Sequence, residues 1–301
     1  NVTSMHGGLS FCMLRPGAKN RLLAVHCGLL PVAGEKHLWP DGHQPPVEAV
    51  SGKPDTREML IGGHPVIYDF VKQKYQFALE QLRPYLDDLV SAFDTMSKSV
   101  VRYQYARGGT NNHRGYYCPS PIRDIVIGNC HRGYLYKTQP KTRQPSFIYG
   151  FNAQGELVTT ESESCRKEFI LYINHATVGI SFVAAEQFGL RIETVSLCEY
   201  NEVGQILLYL VASCPVDGPL LMRQYELELY HYGSEGLETA DWYYLLHHDS
   251  LYVSHNIFTF QHNADGELSS YTVETRYGID DVPHKSAFPD HVYEVYVKRK
   301  V

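Results

Sequence analysis

Three copies of one turn motif constrain the fold of this chain more than any other feature of its sequence. Each copy reads Asn-x-x-Gly followed by a polar and an aliphatic residue, and the copies begin at Asn152, Asn201 and Asn263. In such a turn the asparagine caps the backbone, and the glycine takes the positive φ that returns the chain into the next strand. The motif predicts that Gly155, Gly204 and Gly266 lie in hairpin turns between adjacent antiparallel strands.

A weaker relative of the motif, Tyr232-Gly233-Ser234-Glu235-Gly236-Leu237, lies between the second and third copies. Regular recurrence of such turns indicates repeated hairpin units. The four turns between aromatic strands resemble the hairpins of tyrosine-rich YD (RHS-type) repeats. They lack the Tyr-Asp pair of that family, so the resemblance implies hairpin units and carries no function.

Eleven segments after residue 122 are rich in β-branched and aromatic residues, which is typical of strands. They span residues 134–139, 147–151, 169–173, 178–184, 190–200, 205–213, 221–232, 242–248, 251–262, 268–277 and 292–298. This succession predicts a large, mainly antiparallel sheet of the hairpin or meander kind. Because so many strands seldom stay in one flat layer, we expect the sheet to be curled or double-layered.

A helical period precedes the strands. From Val66 to Met96 apolar residues recur at spacings of three and four, which predicts an amphipathic helix over about 66–104 with a kink or break at Pro84. We therefore predict an α+β fold in which this long helix packs on the sheet. The expected organisation is a loop-rich N-terminal segment (1–65), a helical segment (66–105) and an antiparallel β-region (106–301) within one continuous domain.

The charge of the chain is small overall but unevenly distributed. The 301 residues carry a formal net charge of −6, which favours neither a nucleic acid nor an anionic membrane as partner. Residues 107–150 contain seven Lys or Arg against one Asp, whereas residues 151–301 contain nine against 22 Asp or Glu. We interpret this as a basic segment that folds back onto an acidic sheet. A basic surface for anions or nucleic acid is the less favoured alternative.

Cysteine usage indicates a reducing, cytoplasmic setting. The seven cysteines show no C-x-x-C spacing and cannot all pair within the chain, so we expect all of them to be reduced. No run approaches the ~18 apolar residues of a membrane span. Basic residues before the apolar stretch 22–34 imitate a secretory signal, but His26 interrupts it and we expect a strand or loop there. Whether residues 15–34 act as a targeting segment stays open.

The motifs of several common enzyme classes are absent from the sequence, namely GxGxxG, GxxxxGK[ST], GxSxG and HExxH. A hairpin near residues 249–250 would bring His247 and His248 towards His255, so these three are weak zinc-ligand candidates. We favour no metal site and expect no cofactor. Glu226 and Glu228 share one face of a strand whose other face is apolar, so we interpret them as the solvent side of a sheet.

Tyrosine is unusually abundant, with 23 residues, and it is concentrated around residues 103–123. This segment joins the helix to the sheet, where clefts are common, and Gly108, Gly109 and Gly115 permit movement. Aromatic and guanidinium groups are enriched at binding hot spots. We predict that the segment lines the main cleft and that six of its residues contact a ligand or partner: Tyr105, Arg107, His113, Arg114, Tyr116 and Tyr117.

These observations favour a non-enzymatic recognition module that binds a protein or peptide through a tyrosine-rich sheet and loop surface. The alternative is a hydrolase-type enzyme with a His/acid site between the 110–121 loop and the sheet. A deep pocket that gathers His, Asp or Glu with perturbed pKa values would favour the enzyme. A broad, shallow, tyrosine-rich face would favour binding. The oligomeric state stays open.

Overall fold

The computed structural model of the chain describes residues 65–127, 132–185, 189–213, 222, 224–245, 253–277, 282–283 and 292–294. All of these residues belong to one compact unit that spans Asp55–Val301. The expected loop-rich segment 1–65 lies outside the described residues except for Pro65, as does the stretch 15–34. The expectation of one continuous domain for the whole chain therefore stays a prediction.

Fourteen strands of the described residues form one antiparallel sheet. They are β1 (Arg102–Arg107), β2 (Tyr134–Leu135), β3 (Phe147–Phe151), β4 (Leu157–Ser162), β5 (Arg166–Ile173), β6 (Ala176–Ala185), β7 (Gly189–Tyr200), β8 (Ile206–Ser213), β9 (Gln224–Gly233), β10 (Gly236–Leu245), β11 (Ser254–His262), β12 (Leu268–Tyr277), β13 (Val282–Pro283) and β14 (Tyr293–Glu294). Strands β3 to β13 follow one another across the sheet as a meander, β1 and β2 extend it beyond β3, and β14 pairs with β12. This confirms the predicted antiparallel meander. The described strands form one continuous, open sheet. Whether this sheet is curled or double-layered stays a prediction.

The three Asn-x-x-Gly motifs form hairpin turns, as predicted, and join β3 to β4, β7 to β8 and β11 to β12. Gly155, Gly204 and Gly266 have φ values of 82°, 82° and 73°. In the first turn Asn152 Oδ1 accepts hydrogen bonds from the backbone N–H groups of Gln154 and Glu156, and the other two turns repeat this pattern. The register shifts by one residue beside each turn, which is typical of a hairpin that ends in a glycine bulge.

The predicted long helix is two helices, α1 (Pro65–Leu82) and α2 (Leu89–Lys98). A 3₁₀ turn at Arg83–Tyr85 separates them, because the ring of Pro84 fits the first turn of a helix but not its interior. The predicted break is therefore confirmed, whereas the predicted end of the helix is wrong. Residues Arg102–Arg107 form the strand β1, in which tyrosines alternate with smaller or polar residues.

The two faces of the sheet are covered by different parts of the chain. On one face, the helix-side face, α1 packs on β6 to β8 and α2 packs on β4 and β5. The core on this side includes Phe93 of α2 with Phe169 and Leu197 of the sheet. On the opposite face, the loop-side face, residues 108–127 cover the strands, and Cys118 and Ile122 of this segment pack in a second buried cluster. We call residues 108–127 the covering segment.

Neither α1 nor α2, the two α-helices of the described chain, is long and apolar enough to cross a membrane.

Candidate functional site

A buried ion pair joins the covering segment to the loop-side face. Arg114 Nε donates to Glu168 Oε1 over 2.8 Å, and the guanidinium also donates to Ser196 Oγ over 2.9 Å. Arg114 is 6% exposed and Glu168 is 2% exposed, so both charges are removed from water. Burial alone would raise the pKa of Glu168, but the nearby Arg114 and His113 lower it to about 2. The carboxylate therefore stays ionised and holds the segment on the sheet.

A glycine in the middle of β6 makes room for this ion pair. A Cβ atom on Gly179 would lie 2.3 Å from the Arg114 guanidinium and 2.5 Å from Glu168 Oε1. A glycine inside a strand normally weakens it and often marks a close approach of other groups. Gly179 is thus the sequence signal by which this buried pair could have been anticipated.

His113 contacts two further buried groups beside the ion pair. Its Nδ1 lies 2.7 Å from the Tyr209 hydroxyl, and its Nε2 lies 3.3 Å from Glu168 Oε1 without the alignment of a hydrogen bond. Burial lowers the pKa of His113, and Glu168 only partly offsets this effect, so the ring is neutral at pH 7. With Nε2–H facing the carboxylate, Nδ1 accepts a hydrogen bond from the Tyr209 hydroxyl.

A second buried acid, Glu228 on β9, lies under the covering segment. Ser120 Oγ donates to Glu228 Oε1 over 2.8 Å, and the Tyr230 hydroxyl donates to Oε2. Burial raises the pKa of Glu228 to about 7, although these two donors and Arg123 oppose the shift. Neighbouring Glu226 forms a 2.6 Å ion pair with Arg123. The expectation that both glutamates face solvent is wrong, because the segment covers this side of the sheet.

The basic stretch of the sequence supplies the arginines of these contacts. Arg114 and Arg123 bind acids of β5 and β9, and Arg132 binds Asp124 and the carbonyl oxygens of Tyr116 and Cys118. The interpretation that the basic segment folds onto the acidic sheet is therefore confirmed for Arg114 and Arg123, whereas Arg132 binds within the basic segment itself.

Gly115, which was expected to permit movement, serves close packing. A Cβ atom at this position would lie 2.5 Å from the Phe147 ring and 2.7 Å from the Tyr149 hydroxyl. The same hydroxyl accepts a hydrogen bond from Tyr116 N–H over 2.9 Å and donates to the Arg114 carbonyl over 3.1 Å. The covering segment is thus packed flat on the sheet at this point.

The structure does not bring the six predicted contact residues together. His113, Arg114, Tyr116 and Tyr117 belong to the covering segment, and the Tyr117 ring packs edge-on against Tyr149 and Phe151. Tyr105 and Arg107 belong to β1 instead. Arg114 is buried, and its charge is neutralised by the buried Glu168.

Half-buried Tyr105 and exposed Arg107 belong to a surface at the edge of the sheet. Ala106 of β1 and Leu135 of β2 contact the aromatic cluster on the loop-side face, so the residues beside them in each strand face the helix side. Tyr134, beside Leu135, is 73% exposed, and Tyr103, two residues before Tyr105 and therefore on the same face as it, is 50% exposed. We call Tyr103, Tyr105, Arg107 and Tyr134 the edge surface.

Five exposed basic side chains lie in the edge surface or near it along the chain: Arg102, Arg107, Lys137, Lys141 and Arg143. Residues 132–146 contain no Asp or Glu. Arg102 stacks over the Phe151 ring at 4.1 Å, and none of the five forms an ion pair with a described residue. In contrast to Arg114 and Arg123, these residues keep their charge available to solvent and to a partner.

The sheet edge is open at Tyr103. The Tyr105 carbonyl accepts a hydrogen bond from Tyr136 N–H over 2.8 Å, so the peptide groups of Tyr105 face β2 and not β3. Because peptide directions alternate along a strand, the N–H and C=O groups of Tyr103 face the same way. Strand β2 pairs with β1 only at Ala106 and Arg107, so no described strand lies opposite Tyr103.

Of the weak zinc-ligand candidates, His247 and His248 lie outside the described residues. His255 Nε2 lies 2.8 Å from Asp241 Oδ1, and its ring stacks on Tyr243 with centroids 4.0 Å apart. Asp241 also lies 3.3 Å from His231 Nε2. Across the described strands and segments, no group of three or more His, Cys, Asp or Glu side chains is arranged to hold a metal ion.

Three of the seven cysteines lie in the described residues, and all three are free thiols: Cys118, Cys165 and Cys198. Burial raises the pKa of Cys118 to about 11 and that of Cys198 to about 12, which makes both thiols poor nucleophiles. The other four cysteines lie outside the described residues, so the reduced state of all seven stays a prediction.

Comparison with known proteins assigns the chain to no family. No protein-family model matches the chain, and no curated protein is found to be similar to it.

Proposed function

We propose that the protein is a non-enzymatic recognition module that binds a protein or peptide at the edge surface. The observation that carries this proposal is the combination of two well-exposed tyrosines, Tyr103 and Tyr134, with basic side chains that no described acid neutralises. Tyrosine and arginine are enriched at interface hot spots because they supply a large, rigid contact area and charge-assisted hydrogen bonds.

In this proposal the covering segment is a structural layer. The Arg114 guanidinium is bound to Glu168 and Ser196, so it has little capacity left for a partner. Tyr105 and Arg107 remain as contact residues from the predicted set. The other four, His113, Arg114, Tyr116 and Tyr117, bond to or pack against the sheet and stabilise the protein itself.

The protein contains chemical groups suited to a hydrolase, but a substrate could not reach them. A carboxyl group with a pKa of about 7 and a neutral histidine are suited to proton transfer near neutral pH. However, Glu168, Tyr209 and Glu228 are all buried beneath the covering segment, and a catalytic acid or base must reach a substrate atom. The geometry therefore favours binding over catalysis.

Selection of peptides from a random library displayed on phage tests the proposal. The immobilised full chain is used for selection, and the affinity of each enriched peptide is then measured in solution by fluorescence anisotropy. We expect Tyr134→Ala to weaken binding about tenfold, equivalent to ~1.4 kcal/mol, because the exposed ring supplies contact area. Tyr103→Ala is expected to have a similar effect.

Leu207→Ala is the matched control, since Leu207 is an exposed apolar residue on β8, outside the edge surface. It should leave the affinity unchanged. The proposal is wrong if the library yields no binding peptide, or if the selected peptides bind Tyr103→Ala and Tyr134→Ala as tightly as the unchanged protein.

A further inference from the structure

An open strand edge selects partners by main-chain hydrogen bonding. A polypeptide can add a strand to a sheet when the edge presents N–H and C=O groups in the strand direction. At Tyr103 both groups face outward, and no described strand or loop bonds to them. A segment placed in line with β2, about 4.8 Å from β1, would therefore find a donor and an acceptor at this position.

The side chains around this opening favour an acidic segment. The basic residues of β1, Arg102 and Arg107, flank Tyr103 along the strand, and Lys137 follows β2 directly. Opposite charges on neighbouring strands stabilise their pairing, and like charges destabilise it. Exposed Val101 and Tyr103 add apolar contact area for alternate side chains of the incoming strand.

From these observations we infer that the partner is an acidic, extended polypeptide segment that adds a strand to the sheet at Tyr103 of β1. This inference rests on the proposed function and specifies the partner of the same surface.

Three other occupants fit the opening less well. Residues 1–64 contain six Lys or Arg and five Asp or Glu, so they offer little charge complementarity. A second copy that paired β1 with β1 about Tyr103 would place Arg102 opposite Gln104 and would bring no acidic residue, because β1 contains none. A single-stranded nucleic acid would be attracted by tyrosines and basic groups, but its phosphates accept hydrogen bonds and cannot satisfy the Tyr103 carbonyl.

Binding of designed peptides to the full chain tests the inference. The probe is a synthetic peptide of sequence Glu-Val-Glu-Tyr-Glu-Val-Glu, and two matched peptides replace Glu by Lys or carry N-methyl groups at alternate residues. We expect the acidic peptide to bind at least tenfold tighter than the lysine peptide, with an affinity that falls as salt is raised. The N-methylated peptide should bind at least tenfold more weakly, because it lacks the donors that a strand needs.

Two protein variants separate the main chain of Tyr103 from its side chain. Tyr103→Ala removes the ring only, whereas Tyr103→Pro also removes the outward N–H group. Proline is tolerated at an edge position whose N–H is not used by the sheet, so the ladder between β1 and β3 should persist. We expect the proline variant to bind the acidic peptide at least fivefold more weakly than the alanine variant, with circular dichroism confirming that both are folded.

A second readout uses the unchanged protein and is independent of variant folding. Hydrogen exchange at the Tyr103 amide, followed by NMR, should slow at least tenfold when the acidic peptide is added. The inference is overturned if that amide is already protected in the free chain, which would mean that the chain or a second copy occupies the edge. It is also overturned if the lysine or N-methylated peptide binds as well as the acidic one, or if oligo-dT binds more tightly.

The failures of the two proposals are distinguishable. If peptides bind in a way that depends on Tyr134 but not on acidity or on free peptide N–H groups, the proposed function stands and the inference about strand addition is wrong. If no peptide binding depends on Tyr103 or Tyr134, both are wrong.

Discussion

At the residue scale, the charges buried under the covering segment determine where the protein is most sensitive to substitution. Removing one member of a buried ion pair leaves the other charge uncompensated and costs about 3–5 kcal/mol. We therefore expect Arg114→Met and Glu168→Gln each to reduce the free energy of urea unfolding by about that amount.

The double variant is the informative control for this pair. Because Arg114→Met/Glu168→Gln leaves no unpaired charge, its loss of stability should be clearly smaller than the sum of the two single losses. Simple additivity of the two single losses would show that the contact between Arg114 and Glu168 does not contribute to stability.

The raised pKa of Glu228 leads to a separate prediction about how the free energy of unfolding depends on pH. Burial raises the pKa of Glu228 to about 7 in the folded protein, above the ~4.3 of a glutamate in an unfolded chain. Between these values the folded state holds a proton that the unfolded state has lost. The contribution of Glu228 to stability is therefore fully present below about pH 4 and is lost as the pH rises through about 7.

His113 changes stability with pH in the opposite direction to Glu228. Burial lowers the pKa of His113, so as the pH falls below about 6.5 the unfolded state binds the proton more readily and stability decreases. The comparison with Glu228→Gln isolates Glu228, since the variant keeps His113. We expect the difference in unfolding free energy, unchanged protein minus variant, to fall by roughly 2–3 kcal/mol from pH 5 to pH 8. A difference that does not vary with pH would contradict the raised pKa.

Sequence reasoning located some of these residues and missed the function of others. The turn glycines were predictable because their role depends on four adjacent residues. The burial of Glu228 was not, because an alternating strand shows which residues share a face but not what covers that face. The covering segment has no helical or strand period, so its docking depends on contacts such as Arg123 with Glu226 that are distant in sequence.

At the element scale, strand prediction succeeded where β-branched and aromatic residues are dense and turns are marked by glycine. The predicted bounds of β3 and β12 coincide with the observed ones. Strand β4 was missed, because its Thr and Glu residues are less typical of strands than the aromatic segments. The predicted helix over about 66–104 extended into β1, which begins at Arg102. No glycine or proline separates α2 from the tyrosines of β1, so the sequence did not mark the end of the helix.

The hairpin turns provide a prediction at this scale. Gly266 has a φ of 73°, and a Cβ atom at this position would meet no other atom within 4 Å. A side chain there is therefore disfavoured by backbone strain alone. We expect Gly266→Val to lower the free energy of unfolding by about 1–3 kcal/mol, measured by urea denaturation.

Gly266→Asn is the matched variant, because asparagine adopts the left-handed conformation more easily than valine. It should cost clearly less than the valine change. Equal losses for the two variants would show that the turn does not require a positive φ at this position.

At the scale of the whole molecule, the sequence predicted the antiparallel meander, the helical layer and the folding of the basic segment onto the sheet, but not which strands that segment covers. The meander follows from the order of strands and turns along the chain, which is local information. The covering of the loop-side face depends on long-range pairing of charges. Only the contrast between the basic stretch 107–150 and the acidic stretch 151–301 indicated it in the sequence. The position of the exposed tyrosines at an open edge follows from the order β3, β1, β2, which skips the neighbour in sequence.

Native-state hydrogen exchange on the free full-length chain, resolved by NMR, tests the central claim most directly. The claim is that the covering segment is a closed structural layer while the sheet edge at Tyr103 is open to a partner. We predict that the amides of Gly115 and Tyr116, which bond to the Asn112 carbonyl and the Tyr149 hydroxyl, exchange as slowly as the central strands. The Tyr103 amide should exchange at nearly the rate of an unstructured peptide. Rapid exchange at Gly115 and Tyr116 together with strong protection at Tyr103 would contradict the account.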